Sequence, residues 1–181
     1  MRRIKLDRID RRILRNLLTD GRITNVELAR RVGISAPPCL RRVRALEEAG
    51  VIRGYHAELA PEALGYVVTV FAQVGLASQA DADLKAFERL VATWSEVREA
   101  YMLAGETDFL LKIVAPDWDS YQRFLSDKLT SAPNVSHVKS SLMLHLSKSS
   151  PGIPIPEHST APEEKEKPEA RRQPKATVTT S

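Results

Sequence analysis

The sequence predicts an α+β chain: an N-terminal winged helix-turn-helix, then a ferredoxin-like βαββαβ domain, then a disordered C-terminal tail. Three observations carry this. Apolar residues recur at helical spacing up to about residue 49 and pass into β-branched and alternating runs after residue 66. Charge is segregated: residues 1–55 hold 14 Lys/Arg against 6 Asp/Glu, and residues 56–148 hold 8 against 12. From Ser149 the chain mixes Pro, Glu, Lys, Ser and Thr with almost no large apolar residue after Ile155, too little burial to offset the entropy of ordering. The predicted domains are residues 1–60, 61–148 and 149–181.

The first domain reads as three helices. Ile9, Ile13, Leu14, Leu17 and Leu18 lie at helical spacing between Leu6 and Thr19, and Asp20-Gly21 ends the run. Thr24-Asn25-Val26-Glu27 has the form of a capping box and opens a short helix carrying Leu28, Ala29 and Val32. Gly33 supplies a tight turn, Ser35 suits an N-cap, and a third helix runs to about Ala49 with Gly50 as its stop. The short glycine-containing connection makes the last two a helix-turn-helix. The segment VIRGYHAELA, turning at Arg53-Gly54, is a candidate wing. On a helical wheel Ala36, Cys39, Leu40, Val43 and Leu46 share one side of the third helix. Arg41 lies nearly opposite, near Pro37 and Pro38, while Arg42 and Arg44 flank the stripe. This makes Cys39 a core thiol.

The second domain changes period. Tyr66–Leu76, Val97–Ala104, Phe109–Ala115 and Val135–Leu146 read as strands. Asp83–Thr93 and Asp117–Thr130 read as helices, through Leu84, Phe87, Leu90 and Val91 in one and Trp118, Tyr121, Leu125 and Leu129 in the other. The order β-α-β-β-α-β covers one face of a sheet with helices and leaves the other open, a face that dimerisation commonly covers.

Composition narrows the function. No apolar run approaches the roughly 20 residues that span a bilayer, and the charged start MRRIKLDRID has no signal-peptide core. A single cysteine can form no internal disulfide, which fits a reducing, cytoplasmic setting. There is no P-loop, dinucleotide fingerprint, HExxH or nucleophile–base context. His56, His137, His145 and His158 are scattered, so no enzyme, metal or cofactor is expected. RNA recognition by the second domain would need basic and aromatic central strands, whereas FLLKIVA carries one lysine in an acidic domain. The basic first domain is instead a footprint for a polyanion. Guanidinium groups pair with guanine O6 and N7 or with phosphate. Arg41 is the candidate base reader. Arg42 and Arg44 suit backbone positioning, and Arg30, Arg31 and Arg53 are further phosphate candidates. Pro37 and Pro38 occupy a first turn where backbone N–H groups have no helical partner, and can offer an apolar surface to a thymine methyl. The linker Ala104-Gly105-Glu106-Thr107-Asp108 reads locally as a hairpin turn needing no ligand.

The stretches LDRIDRRIL, LARRVGIS, CLRRVRALEEAGVIRGYHAEL, AGETDFLLKI and APDWDSYQRFL, in this order and at these separations, resemble the leucine-responsive (Lrp/AsnC, feast/famine) regulators over about residues 4–148. The resemblance implies a transcription regulator that binds double-stranded DNA. It also implies a homodimer assembling further, to an octamer or similar, and an amino-acid or related effector. Its recognition helix corresponds to Ser35–Glu48, with Ser35 at the entrance, and Pro37 stands where relatives often carry a hydroxyl. It implies that the Gly-x-x-Asp turn forms an effector pocket at a subunit interface. Gly105 would then let a ligand approach the backbone, with Glu106 and Thr107 in the same loop. Asp108 would meet an α-ammonium or orient that loop. Ser140 and Ser141 are candidate hydroxyl partners, and Tyr101 and Leu103 candidate pocket walls. An architectural DNA-binding protein with little effector control is the alternative on the same fold.

Overall fold

A computed structural model describes residues 5–156. These form two compact units, one of residues up to His56 joined by the segment from Ser150, the other of Ala57–Ser149. No helix among the described residues is long and apolar enough to cross a membrane.

In the first unit α1 (Arg8–Thr19), α2 (Asn25–Val32) and α3 (Ala36–Glu48) enclose Ile13, Leu28, Ala29, Val32, Cys39 and Leu46. Cys39 is fully buried, and that burial raises its thiol pKa, so it is a packing residue rather than a nucleophile. Leu40 departs from the helical-wheel expectation. It is 38% exposed, because the core stripe of α3 is carried by Cys39, Val43 and Leu46 and Leu40 falls at its edge. The capping box also sits elsewhere than expected. At α2 the Thr24 hydroxyl accepts the Glu27 N–H at 3.3 Å, but the Glu27 carboxylate is taken by Arg30 and Arg31. The reciprocal box forms instead at α1, between Asp7 and Asp10. Gly33, at φ 79, closes α2 in the left-handed region open to glycine. Two side chains then bind the helices together. Arg12 donates to the Arg31 carbonyl at 2.6 Å, and the Asn25 amide donates to the Ala36 carbonyl at 2.8 Å.

The expected wing, residues 51–60, is irregular and forms no strand ladder. Its start is tied down, since Val51 and Ile52 both donate N–H to the Leu46 carbonyl. The Tyr55 hydroxyl donates to Glu47 at 2.9 Å. Partial burial, and then the bond to Glu47, push the Tyr55 phenol up to about 12. A raised folded-state pKa means this contribution is whole below the ordinary tyrosine pKa near 10, and is lost as pH rises toward 12. Tyr55→Phe is expected to cost the first unit about 0.5–1 kcal/mol at neutral pH. The mutant should also lose the tyrosinate absorbance step at about pH 12.

In the second unit β1 (Val68–Leu76), β2 (Val97–Met102), β3 (Phe109–Ala115) and β4 (Val135–Leu142) form one sheet in the order β2-β3-β1-β4. Every neighbouring pair is antiparallel, the arrangement expected of the split βαβ unit. The helices α4 (Asp81–Val91) and α5 (Trp118–Phe124) close over one face. Val70, Ala72 and Val74 of β1 and Phe109, Leu111 and Ile113 of β3 point to them and are at most 2% exposed. Phe87, Trp94 and Phe124 interlock edge to face above that layer.

Three boundaries differ from the periodicity. β1 starts at Val68 rather than Tyr66, because Gly65 at φ 80 turns the chain just before it. That shortens β4 in turn. Met143 donates its last ladder bond to Thr69, and Leu144 and Leu146 pass beyond the partner strand, 89% and 66% exposed. The second helix of this unit ends in a wider turn over Leu125–Leu129, where the Leu125 carbonyl accepts from both the N–H and the hydroxyl of Thr130. Of the predicted tail, residues 149–156 are irregular, and Gly152 at φ 66 lies so close to Leu18 that a Cβ would collide with it. Residues 157–181 lie outside the described residues.

Candidate nucleic-acid interface and effector hairpin

The entrance to α3 follows from its two prolines. An N-cap hydroxyl ordinarily accepts the N–H of the second or third helical residue. Here those residues are Pro37 and Pro38, which have none. Ser35 therefore takes the extended N-cap backbone, φ −75 and ψ 159, while its side chain makes no capping bond. Its hydroxyl is exposed and uncommitted. The expected N-cap is present in backbone only, and the hydroxyl is left free to meet an external acceptor.

The arginines divide into two groups. Arg41 and Arg44 are exposed on α3 and make no ion pair among the described residues. Arg53 is exposed in the irregular segment after Gly50. The others are held. Arg30 and Arg31 both donate to Glu27 at 2.7–2.8 Å. Arg30 first, then Arg31, bring the Glu27 carboxyl down to about 2. Arg30 remains highly exposed, with 75% of its side chain open, so its guanidinium can still face phosphate. Arg42 is the more constrained. Its Nη1 lies 2.7 Å from both Asp7 Oδ2 and Asp10 Oδ1. The Asp10 N–H on the Asp7 carboxylate lowers the Asp7 pKa, with Arg42 adding to this against a burial penalty. Helical spacing put Arg42 beside the apolar stripe, but the two carboxylates come from another helix, and the third helix by itself carries no trace of them.

In the second unit the β2–β3 hairpin gathers some of the predicted effector residues and separates others. Asp108 is buried, 8% exposed, and both its oxygens are used. Oδ2 accepts the Leu76 N–H at 2.7 Å and Oδ1 accepts the Gln79 amide at 2.8 Å. Its own N–H donates to Val74 and its carbonyl accepts from Leu103. Of its two expected roles, loop orientation is the one this geometry serves. The N–H groups of residues 104–107 make no backbone hydrogen bond among the described residues. Gly105 does not take a positive φ. Nothing lies within 4 Å of where its Cβ would be, so the loop is open rather than tightly turned.

Strand alternation sorts the rest. Tyr101, paired with Leu110, lies on the helix-free face, 49% exposed, and its hydroxyl donates to Glu99, which also takes Lys112 at 2.8 Å. Leu103, two residues further on, is 41% exposed. Ser141 pairs with Phe71 on that same face. Ser140 pairs with Ala72 and so faces the helices, where it hydrogen-bonds the buried Tyr121 hydroxyl. Ser141 thus shares a face with Tyr101 but stands on the opposite edge strand, with β3 and β1 between them, and Ser140 turns inward. A separate groove of about 340 Å³ opens on the helix side of β2, lined by Glu88, Val91, Arg98, Met102 and Phe109 among others. It takes in none of the residues predicted to bind an effector.

A family model for the Lrp/AsnC ligand binding domain matches residues 69–153, and a winged helix-turn-helix DNA-binding model matches residues 6–53. The leucine-responsive regulatory protein of Rhizobium meliloti (strain 1021) is 59% identical over 142 residues, 78% of this chain and 91% of that protein. The protein of the same name from Escherichia coli (strain K12) is 41% identical over 139 residues, 77% of this chain and 85% of that one. Among solved structures, a transcriptional regulator from Neisseria meningitidis in complex with L-Met is 38% identical with a TM-score of 0.79, covering 83% of this chain and 97% of that one. With both domain models matched in order and these identities over most of its length, the chain belongs to the Lrp/AsnC family of transcription regulators, with a DNA-binding helix-turn-helix and a ligand-binding domain.

Proposed function

We propose that this chain is a sequence-specific DNA-binding regulator of the cytoplasm whose binding or assembly responds to an amino acid or a closely related small molecule. The observation that carries the effector half is the hairpin. Unpartnered N–H groups at residues 104–107 suit an α-carboxylate, and exposed Tyr101 and Leu103 offer an apolar wall. Buried Asp108 holds the loop in place. These groups form an open half-site on one chain, and a second subunit would close it. The helix-free sheet face, with Tyr101 exposed and Phe71, Leu110 and Val114 half-buried on it, supports a homodimer and, through it, a larger assembly such as an octamer. The Neisseria meningitidis relative binds L-Met, which supports the class of ligand.

On the DNA side, Arg41 serves as the base reader, with Ser35, Arg44, Arg30, Arg31 and Arg53 on the backbone and Pro37 and Pro38 as the apolar part of the contact. Footprinting at stated salt, with and without a panel of amino acids, tests both halves. Discrete, regularly spaced protected sites that shift with one amino acid support the regulator. Uniform coverage indifferent to every amino acid supports the architectural alternative, since backbone contacts alone carry no sequence information.

A further inference from the structure

Arg42 looks by position like a phosphate contact, one residue from Arg41 on the recognition helix, but its surroundings give it another task. Asp7 and Asp10 cap the start of α1 reciprocally: Asp10 N–H donates to Asp7 Oδ1 at 2.8 Å, and Asp7 N–H donates to Asp10 Oδ2 at 3.1 Å. Each carboxylate thus spends one oxygen on the cap and turns the other outward. Both outward oxygens meet Nη1 of Arg42, each at 2.7 Å. Asp10 is well shielded, with 15% of its side chain open, and Arg42 has 35%. The cap and the clamp are therefore one unit, linking the first turn of α1 to the middle of α3 across more than 30 residues of chain.

Two consequences follow from charge and geometry. Two carboxylates around one guanidinium leave a local excess of negative charge, which repels a phosphate and competes for the same donors. The clamp also holds α3 at a side chain adjacent to Arg41, so it restricts rotation of the helix about its own axis. The Asn25 amide of α2 engages α3 elsewhere, at its first residue, Ala36.

We infer that Arg42 is a positioning residue for DNA reading rather than a DNA contact, and that Asp7 and Asp10 of the α1 cap act through it to aim Arg41. The inference rests on the DNA-binding reading of the helix-turn-helix.

The test uses the full chain, a duplex selected from a random pool by the wild type, and an unselected duplex, each titrated over a range of salt. For a positioning residue, Arg42→Ala weakens the selected duplex more than tenfold and the unselected one less than threefold. The slope of log affinity against log salt stays unchanged. For a phosphate contact, both duplexes weaken alike and the slope falls by about 0.9, and that result overturns the inference. The pair D7N/D10N gives an independent reading. Loss of the clamp lowers selected-site affinity about as much as Arg42→Ala does, and adding Arg42→Ala to the pair costs little more. If the carboxylates merely occupy a DNA-binding arginine, freeing it raises affinity for both duplexes, and the inference fails. Should Arg42→Ala lose its fold by circular dichroism, Arg42→Lys with D10N carries the same comparison. A wild type that selects no sequence and binds no duplex overturns the DNA-binding reading and this inference together. A wild type that selects a site while Arg42→Ala shows the reduced slope overturns this inference alone.

Discussion

Replacing Arg41 by alanine is expected to weaken binding to the preferred duplex by about 1–3 kcal/mol, roughly five- to 150-fold, and to relax preference at one or two base positions. Arg41 is the residue on α3 that combines exposure, distance from the core stripe and freedom from any ion pair among the described residues. Arg44 shares the last property but lies nearer the stripe, so Arg44→Ala should weaken selected and unselected duplexes together. The measurement is a gel-shift titration on both duplexes. Equal loss on the two for Arg41→Ala would remove its base-reading role. The direction differs from that expected of Arg42→Ala only in mechanism: Arg41→Ala removes the reader, and Arg42→Ala leaves it present but misaimed. Salt slope does not separate these two variants, because neither residue is expected to hold a phosphate. The double variant does, and it should be no worse than Arg41→Ala alone on the selected duplex.

The second large effect is expected at Asp108. Asp108→Ala leaves the buried Leu76 N–H, at the end of the inner strand β1, without its acceptor, and should destabilise the second unit by about 1–3 kcal/mol in urea denaturation. It also frees the hairpin, whose chain is anchored by bonds from Asp108 to Leu76, Gln79 and Val74. Effector affinity is therefore expected to fall, or the effector to lose its influence on DNA binding. Asp108→Asn keeps an acceptor for Leu76 and should recover most of the stability. A mutant with both normal effector affinity and a normal effect of effector on DNA binding would sink the proposed role of the hairpin. Because both Asp108 oxygens are already occupied, the mutant is expected to act through loop geometry and not through a lost contact to the ligand.

Much of the architecture was legible because it rests on local rules. Period and turn chemistry placed the five α-helices and four strands of the described residues to within a few residues, and Gly33 and Gly50 were visible as helix stops because both take positive φ. The strand ends were less legible. A run such as Val135–Leu146 keeps its alternation past Leu142, but a strand ends where its partner ends, and that depends on the turn at Gly65 some 70 residues earlier. The capping box at Thr24 was half right for a related reason. Glu27 has the right spacing to cap, but Arg30 and Arg31 lie at the i+3 and i+4 positions and claim its carboxylate.

The candidate sites show the same division. By itself the sequence determined that residues 1–55 are basic and helical, that arginines cluster on the third helix, and that a Gly-x-x-Asp hairpin joins two strands. Composition, period and short-range spacing suffice for each. Only the tertiary structure decided what those groups are free to do. Asp7 and Asp10 lie more than 30 residues from Arg42 and still immobilise it. Ser140 and Ser141 are neighbours in sequence, yet the pleat sends one to Tyr121 and leaves the other on the open face. Ser35 keeps a free hydroxyl because two prolines remove the N–H groups it would cap. A hydrogen bond or ion pair has an energy set by distance and by competing partners, and partners remote in sequence enter only when the chain has folded.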